Sequence, residues 1–384
     1  MNTWDPQHFR KEGLSRAVPP DILDAAEAIA SNIKGANNHL PPIFTLRHLT
    51  HLASVDFGFI RNVVDRTEHD PYEIFRIRKK GTTAFRVICI PDPKLLAAQR
   101  WIAQNILRYA PSHSSSYAFA PKKKIRVAAA LHCGCKWLIK MDVRRFFESV
   151  SEIAAYRVFN DLGYEPLVSF ELARICTRLG PETRSKWKLQ WRARYREHEI
   201  ERYRNSRIGH LPQGAPTSPM LSNLAMIEFD RAISEIARKN SLIYTRYADD
   251  ICLSKHDKNF SRKRASKIIG QVSAEMGKHG LSPNIAKTKV SPPGARKVVL
   301  GLLVDGDEPK LSREFRARLR QHLHYLTHLG FGPAAHAKNR GFTSVEGMRN
   351  HIEGLIAYAH DIDNDFAANC RAKLNEVSWP FENS

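Results

Sequence analysis

Long apolar runs are missing from this sequence. No segment reaches the ~18 consecutive apolar residues that a membrane-crossing helix needs, so an integral membrane protein is not expected. The opening Met1-Asn-Thr-Trp-Asp-Pro6 lacks a charged stretch followed by an apolar one, and a cytoplasmic location is expected rather than export. Cysteine is sparse, with six in 384 residues: Cys89, Cys133, Cys135, Cys176, Cys252 and Cys370. Only Cys133-Gly-Cys135 clusters, and no second pair stands at a zinc-like spacing, so reduced thiols are expected. Histidines are plentiful, but His322, His324 and His328 fall on a basic helical stretch and read as solvated or phosphate-facing residues rather than metal ligands. No repeat with a period of ~20–50 residues is visible, which excludes solenoids. Negative charge is also in short supply: 39 Asp+Glu face 60 Lys+Arg, a formal net charge of +21.

What is present is core-forming material, 42% hydrophobic and 9% aromatic residues, enough for two or three packed lobes at roughly 100–200 residues each. A folded chain at +21 implies a polyanionic partner, nucleic acid first. Two helices are predicted early, over the Ala-rich stretch from Asp21 and over Thr45 to Ala53, where Leu46, Leu49 and Leu52 form a stripe. Glu73 to Lys80 and Ala84 to Pro91 read as strands joined by a glycine turn, with a helix from Pro93 to Leu107. Trp137 to Asp142 reads as a buried strand, Leu221 to Ile236 as an apolar helix, and Leu242 to Ser254 as a hairpin. Strands among longer helices suggest α+β with an antiparallel sheet.

Two basic segments stand apart. Arg174 to Ile208 holds eleven Lys/Arg against four Glu, with Trp187, Trp191 and Tyr195 four residues apart. On a helix they form one aromatic ridge beside Arg192 and Arg194, either packed on the protein or facing nucleic acid. From Ser312, a plausible helix cap, Phe315, Leu319, Leu323 and Leu326 form a core stripe. Arg313, Arg316 and Arg320 line another side and are expected to face a duplex backbone.

Three carboxylates carry the chemistry. Asp142 ends an apolar strand, where a charge is costly unless neutralised, and Asp249-Asp250 occupy the turn of the hairpin. Brought together, they would repel one another unless divalent cations lay between them. Hard oxygen ligands of this kind suit Mg²⁺, and two ions ~3.5–4 Å apart can clamp an in-line phosphoryl displacement.

Met141-Asp142-Val-Arg-Arg-Phe-Phe147, Leu211-Pro-Gln-Gly-Ala-Pro-Thr-Ser-Pro219 and Tyr247-Ala-Asp-Asp250, in this order, resemble successive motifs of a reverse transcriptase. Lys79-Lys-Gly81 to Arg86 is similar to the fingers hairpin, Asn284-Ile-Ala-Lys-Thr-Lys289 to the lysine motif, and Val299-Leu-Gly301 to the grip before the thumb. The resemblance covers about Leu46 to Leu329. It implies a right-hand polymerase fold: a helical extension at 1–45, fingers with the first part of the palm at 46–136, palm at 137–305 with a basic insertion at about 174–208, and thumb with C-terminal helices at 306–384. Ser116-Tyr-Ala-Phe119 and Ala129-Ala-Leu-His132 resemble the compact bacterial retron type, although Ala128 stands where that type has asparagine and Leu300 where it has threonine.

The retron likeness implies an enzyme that copies part of a cognate structured noncoding RNA into DNA from a 2′-hydroxyl primer, consumes deoxynucleoside triphosphates, and acts with an effector protein in phage defence. Asp142, Asp249 and Asp250 would hold two Mg²⁺ ions, with Mn²⁺ as a possible substitute, helped by the Val143 carbonyl. Phe147 would exclude a 2′-hydroxyl from the incoming sugar, unless it is simply a core aromatic beside Phe146. Arg86, and less specifically Lys80, would hold the triphosphate, and Gln213 would lie beside the nucleotide. Lys287, or else Lys289, would protonate pyrophosphate, and Arg246 reads as structural. Two alternatives stay open. One is a defence- or intron-related reverse transcriptase with another template, although the roughly 55 residues after Leu329 leave little space for a maturase domain. The other is a non-catalytic RNA-binding scaffold, which the intact acidic trio argues against.

Overall fold

The computed structural model describes residues 4–67, 70–78, 85–180, 208–328 and 330–380. Nine strands occur among them: β1 (Tyr72–Arg78), β2 (Phe85–Pro91), β3 (Trp137–Asp142), β4 (Ile243–Tyr247), β5 (Asp250–Lys255), β6 (Lys289–Ser291), β7 (Val298–Val299), β8 (Leu302–Leu303) and β9 (Lys310–Leu311). They form a β1-β2 ribbon, a central sheet of order β4-β5-β3-β6 and a small β7-β8-β9 sheet. Every pairing is antiparallel, as the sequence suggests.

Each face of the central sheet meets a different core. Side chains alternate along a strand, and here the alternation divides two clusters. Ile139, Met141, Ile251 and Leu253 join one cluster with helices Ile227–Lys239 and Arg262–Lys278. Leu138 and Cys252 join the other, with Val299, Leu302 and the helices Arg313–Thr327 and Val345–His360. Across that second face His132 bridges two strands, its Nδ1 2.7 Å from Ser254 Oγ and its Nε2 2.7 Å from Thr245 Oγ1. Burial drives its pKa from 6.5 to about 4, so the ring is neutral.

A second polar element is fully buried. Arg246 of β4 forms a two-point pair with Asp230, Nε to Oδ1 and Nη2 to Oδ2 both at 2.7 Å. Its remaining donors reach Asn223 Oδ1, Ser116 Oγ and the Ala248 carbonyl. Tyr244 donates its hydroxyl to Asp230 Oδ1 at 2.6 Å. The structural reading of Arg246 holds.

Several expectations need correction. Leu52 is not part of a buried stripe: it is 36% exposed, and Thr50 takes the inward position beside Leu46 and Leu49. Leu221 to Ile236 is not one helix but two, Ser218–Ala225 and Ile227–Lys239. Met226 closes the first through the Asn223 carbonyl and opens the second by accepting from the Asp230 amide. His322 is not solvated; it is buried, with Nδ1 2.9 Å from His336 Nε2. All six cysteines are free, and five are buried. Among the described residues no helix is long and apolar enough to cross a membrane.

The basic segment departs from a closed base. Arg178 and His210 exchange backbone hydrogen bonds at 3.0 Å. Beneath them Glu152, 1% exposed, accepts from Arg66, Arg174, Thr177 and the Gly209 amide. Trp187, Trp191, Arg192, Arg194 and Tyr195 lie outside the described residues, as does Lys80.

Two outcomes follow for stability. Asp230→Asn leaves Arg246 buried without its counter-charge and lowers the unfolding free energy by about 3–5 kcal/mol; the paired change Asp230→Leu with Arg246→Met costs less than the sum of the single changes, as urea titration will show. Because the fold holds His132 neutral, its contribution is complete above pH 6.5 and is lost as the pH falls toward 4. His132→Gln should therefore flatten that part of the acid limb in thermal melts at stepped pH.

Candidate active site

The site begins with strand register. Asp142, the last residue of β3, is paired with Asp250, the first of β5, and Tyr247 of β4 also pairs with Asp250. Only Ala248 and Asp249 remain to make the turn. A loop this short needs left-handed backbone, and Ala248 has φ 54°, a conformation that costs a non-glycine residue about 1–2 kcal/mol. Arg246 holds it there by donating to the Ala248 carbonyl at 3.1 Å. The Val143 amide donates to the Asp249 carbonyl at 3.0 Å, tying the turn to the end of β3.

Two chain segments separated by a hundred residues thus bring Asp142, Val143, Asp249 and Asp250 together. Burial, reinforced by the charges of Asp142 and Asp250, pushes the Asp249 carboxyl above its ordinary value. Burial raises Asp250 too; Lys140 opposes the shift and Asp142 adds to it. Carboxylates that raise one another's proton affinity are equally short of a cation. Among the described residues no three Asp, Glu, His or Cys side chains form a ready metal cage. The donor set is an open one of hard oxygens, which fits Mg²⁺, an ion that keeps waters and takes further ligands from substrate phosphates.

A turn near the end of the sheet completes the site. Lys287, at the end of a short 3₁₀ helix Ile285–Lys287, places Nζ 2.6 Å from Asp142 Oδ2. This hydrogen bond, against some burial, raises the lysine pKa. Of the two lysines that the motif leaves open, Lys287 reaches the carboxylate, while Lys289 lies in β6 in register with Lys140. Asn284 Nδ2 holds the other oxygen, Oδ1, at 2.7 Å.

Phe147 follows on a short helical turn, Phe146–Ser149. Phe146 is the buried member of the pair, and Phe147 is half-buried. Phe119 is 43% exposed at φ 58°, and its ring lies 6.3 Å from both Phe147 and Tyr247. It is held by its neighbours: the Tyr117 amide donates to the Arg246 carbonyl at 2.9 Å, and Asn223 donates to the Ala118 carbonyl.

The loop Leu211–Pro219 is bolted to the β1-β2 ribbon. The Cys89 amide donates to the Gln213 carbonyl at 2.7 Å. Gly214 has φ 123°, and a Cβ there would lie 2.6 Å from the Cys89 carbonyl oxygen, so only glycine fits. Arg86 sits farther along β2, exposed and opposite Ile77.

Arg313, Arg316 and Arg320 stand on the helix Arg313–Thr327. Arg313 is exposed. Arg316 pairs with Asp363 and lies 4.9 Å over the Phe366 ring, and Arg320 lies 5.5 Å over the same ring. Two of the three therefore have partners within the protein. Sequence reasoning passed over Asn284 and Phe119, although both stand in stretches it singled out; only the tertiary contacts give them a place in the site. Ala128, at the retron asparagine position, is fully buried. Leu300 and Gly301, with φ 51° and 85°, make the two-residue turn between β7 and β8.

Residues 77–326 match the family model described as "Reverse transcriptase (RNA-dependent DNA polymerase)". The chain is 30% identical over 329 residues to the retron Ec86 reverse transcriptase of Escherichia coli, covering 85% of this chain and 88% of that protein. It is 27% identical to the retron Mx162 reverse transcriptase of Myxococcus xanthus, covering 98% and 71%. With the retron Ec73 reverse transcriptase of Escherichia coli it shares 29% identity, covering 84% and 92%. Among solved structures, a Candida albicans telomerase in complex with a TWJ fragment of telomeric RNA overlays with a TM-score of 0.44 at 13% identity, covering 83% of this chain and 60% of that one. A family match over residues 77–326 and similarity across most of the chain to several retron enzymes lead to one conclusion: this chain belongs to the reverse transcriptases, as an RNA-directed DNA polymerase of the retron type.

Proposed function

We propose that this enzyme copies part of a cognate structured noncoding RNA into single-stranded DNA, starting from a ribose 2′-hydroxyl of that RNA and leaving a branched RNA–DNA product. It would do so in the cytoplasm, as part of an antiphage system with an effector protein. The observation that carries the chemistry is the meeting of Asp142, Asp249 and Asp250 at one strand end on a chain of net charge +21. Polymerases of this family depend on divalent metal. Here Asp142 and Asp249, with Asp250 and the Val143 carbonyl, would hold two Mg²⁺ ions, and Mn²⁺ could replace them. Bound metal supplies charge neutralisation on the attacking and leaving oxygens.

The protein's own groups do the rest. Arg86 on the ribbon, with Lys80, holds the triphosphate, a guanidinium engaging its oxygens in a fork. Gln213, fixed through Cys89, lies beside the nucleotide. Phe147 closes the space where a ribose 2′-hydroxyl would sit. Lys287 delivers a proton to departing pyrophosphate. Arg313, with Arg192 and Arg194, tracks the nucleic-acid backbone, while Arg316 and Arg320 pack on the Phe366 ring beside it. This reading uses fingers at 46–136, palm at 137–305 and thumb at 306–384, after an N-terminal helical extension at 1–45.

Sequencing the nucleic acid that copurifies with the wild-type protein should give a branched RNA–DNA species. The same preparation of Asp249→Asn should give RNA alone, with DNA synthesis down by at least about 10³-fold; full synthesis in that variant would end the metal proposal. Phe147→Ala should incorporate ribonucleotides roughly 10-fold or more better than wild type, measured as the ratio of kcat/KM for the two sugars, and an unchanged ratio would remove Phe147 as the gate.

A further inference from the structure

Both carboxylate oxygens of Asp142 are gripped by a single turn, 142 residues further along the chain. Asn284 Nδ2 donates to Oδ1 at 2.7 Å, and Lys287 Nζ donates to Oδ2 at 2.6 Å. A 3₁₀ helix repeats every three residues, so side chains at i and i+3 eclipse; Asn284 and Lys287 share that spacing and reach one target. Asn284 is also fastened at the backbone. Its amide donates to the Asp142 carbonyl at 2.8 Å, and its carbonyl accepts from the Lys287 and Thr288 amides at 3.1 and 3.2 Å.

The two grips differ in kind. Asn284 offers a neutral amide, which occupies one lone pair on Oδ1 and remains compatible with a cation elsewhere on the carboxylate. Lys287 offers a full positive charge on a side chain that is 59% exposed, against an Asp142 side chain that is 7% exposed, so the ammonium has open solvent to withdraw into once another cation takes its oxygen. A divalent cation approaching Oδ2 repels that ammonium and competes for the same oxygen.

We propose that Asn284 is a positioning residue that sets the Asp142 carboxylate with Oδ2 toward the reaction centre, and that Lys287 is a resident counter-cation standing on Oδ2 until a divalent ion takes its place. This rests on the reading of Asp142 as a metal-holding carboxylate. Displacement frees the lysine side chain toward the triphosphate, so metal loading and delivery of the lysine become a single event. One turn then carries two opposite influences on cation affinity: the amide favours binding by orienting the carboxylate, and the ammonium opposes it by occupancy.

The opposite signs make the test. Mn²⁺ binding to the full-length chain, without nucleotide, is followed by electron paramagnetic resonance. Lys287→Met should tighten Mn²⁺ binding by about 3–10-fold while slowing DNA synthesis; Asn284→Ala should weaken it by a similar factor and raise the Mg²⁺ concentration giving half-maximal synthesis. RNA affinity and melting temperature should stay at wild-type values in both. If the two variants shift Mn²⁺ affinity in the same direction, or neither shifts it, the proposal falls. Should Asn284→Ala melt earlier, Lys287→Met decides by itself: tighter Mn²⁺ supports the placeholder, unchanged or weaker Mn²⁺ overturns it. Asp142→Asn separates the two readings, because undiminished Mn²⁺ binding in that variant refutes Asp142 as a metal ligand and leaves the turn as a plain brace.

Discussion

The Arg246–Asp230 pair is the interaction on which the acidic site depends. Both side chains are fully removed from solvent, and taking two charges out of water is repaid only when every donor and acceptor is met. Here the guanidinium meets helix Ile227–Lys239 through Asp230, helix Ser218–Ala225 through Asn223, the Ser116 hydroxyl, and the turn through Ala248. A hydrophobic substitute could fill that volume but could not hold a left-handed alanine in place. The pair therefore contributes geometry more than net stability: it determines where the strained turn, and with it Asp249, comes to rest.

The central sheet adds the second constraint. It meets a core on each face, and the carboxylates gather at one end of its strands. That is where β3 finishes, β5 begins and the Lys287 turn arrives. An acidic cluster in so basic a chain attracts cations by itself, while the surrounding positive charge draws nucleic acid. Neutralisation within the site and attraction around it are separate tasks, carried by different residues.

Much of this was readable from the amino acids, for definite reasons. β3 showed as an apolar run because both its faces are covered, and the hairpin showed because two β-favouring runs flank Ala248-Asp249. Collinear motifs placed the carboxylates, and tertiary register then set Asp142 opposite Asp250. Other features could not be read from local pattern. The break at Met226 leaves the apolar periodicity nearly intact, so a sequence pattern joins the two helices. His322 looks like a surface residue among arginines until His336, fourteen positions away, turns it inward. Arg316 and Arg320 sit on the polar side of their helix, yet the Phe366 ring comes to meet them from a helix that local sequence does not link to theirs. Asn284 acquires its meaning only from a partner far away in the chain.

The bond from the Cys89 amide to the Gln213 carbonyl, with Gly214 pressed against the same strand, has a mechanical consequence. It makes Cys89 a fixed point: the two-stranded ribbon is fastened there to the loop Leu211–Pro219, three residues from Arg86 on the same strand. Arg86 and Gln213 therefore stand on elements joined to each other close to both residues, so the backbone itself sets the spacing between ribbon and loop.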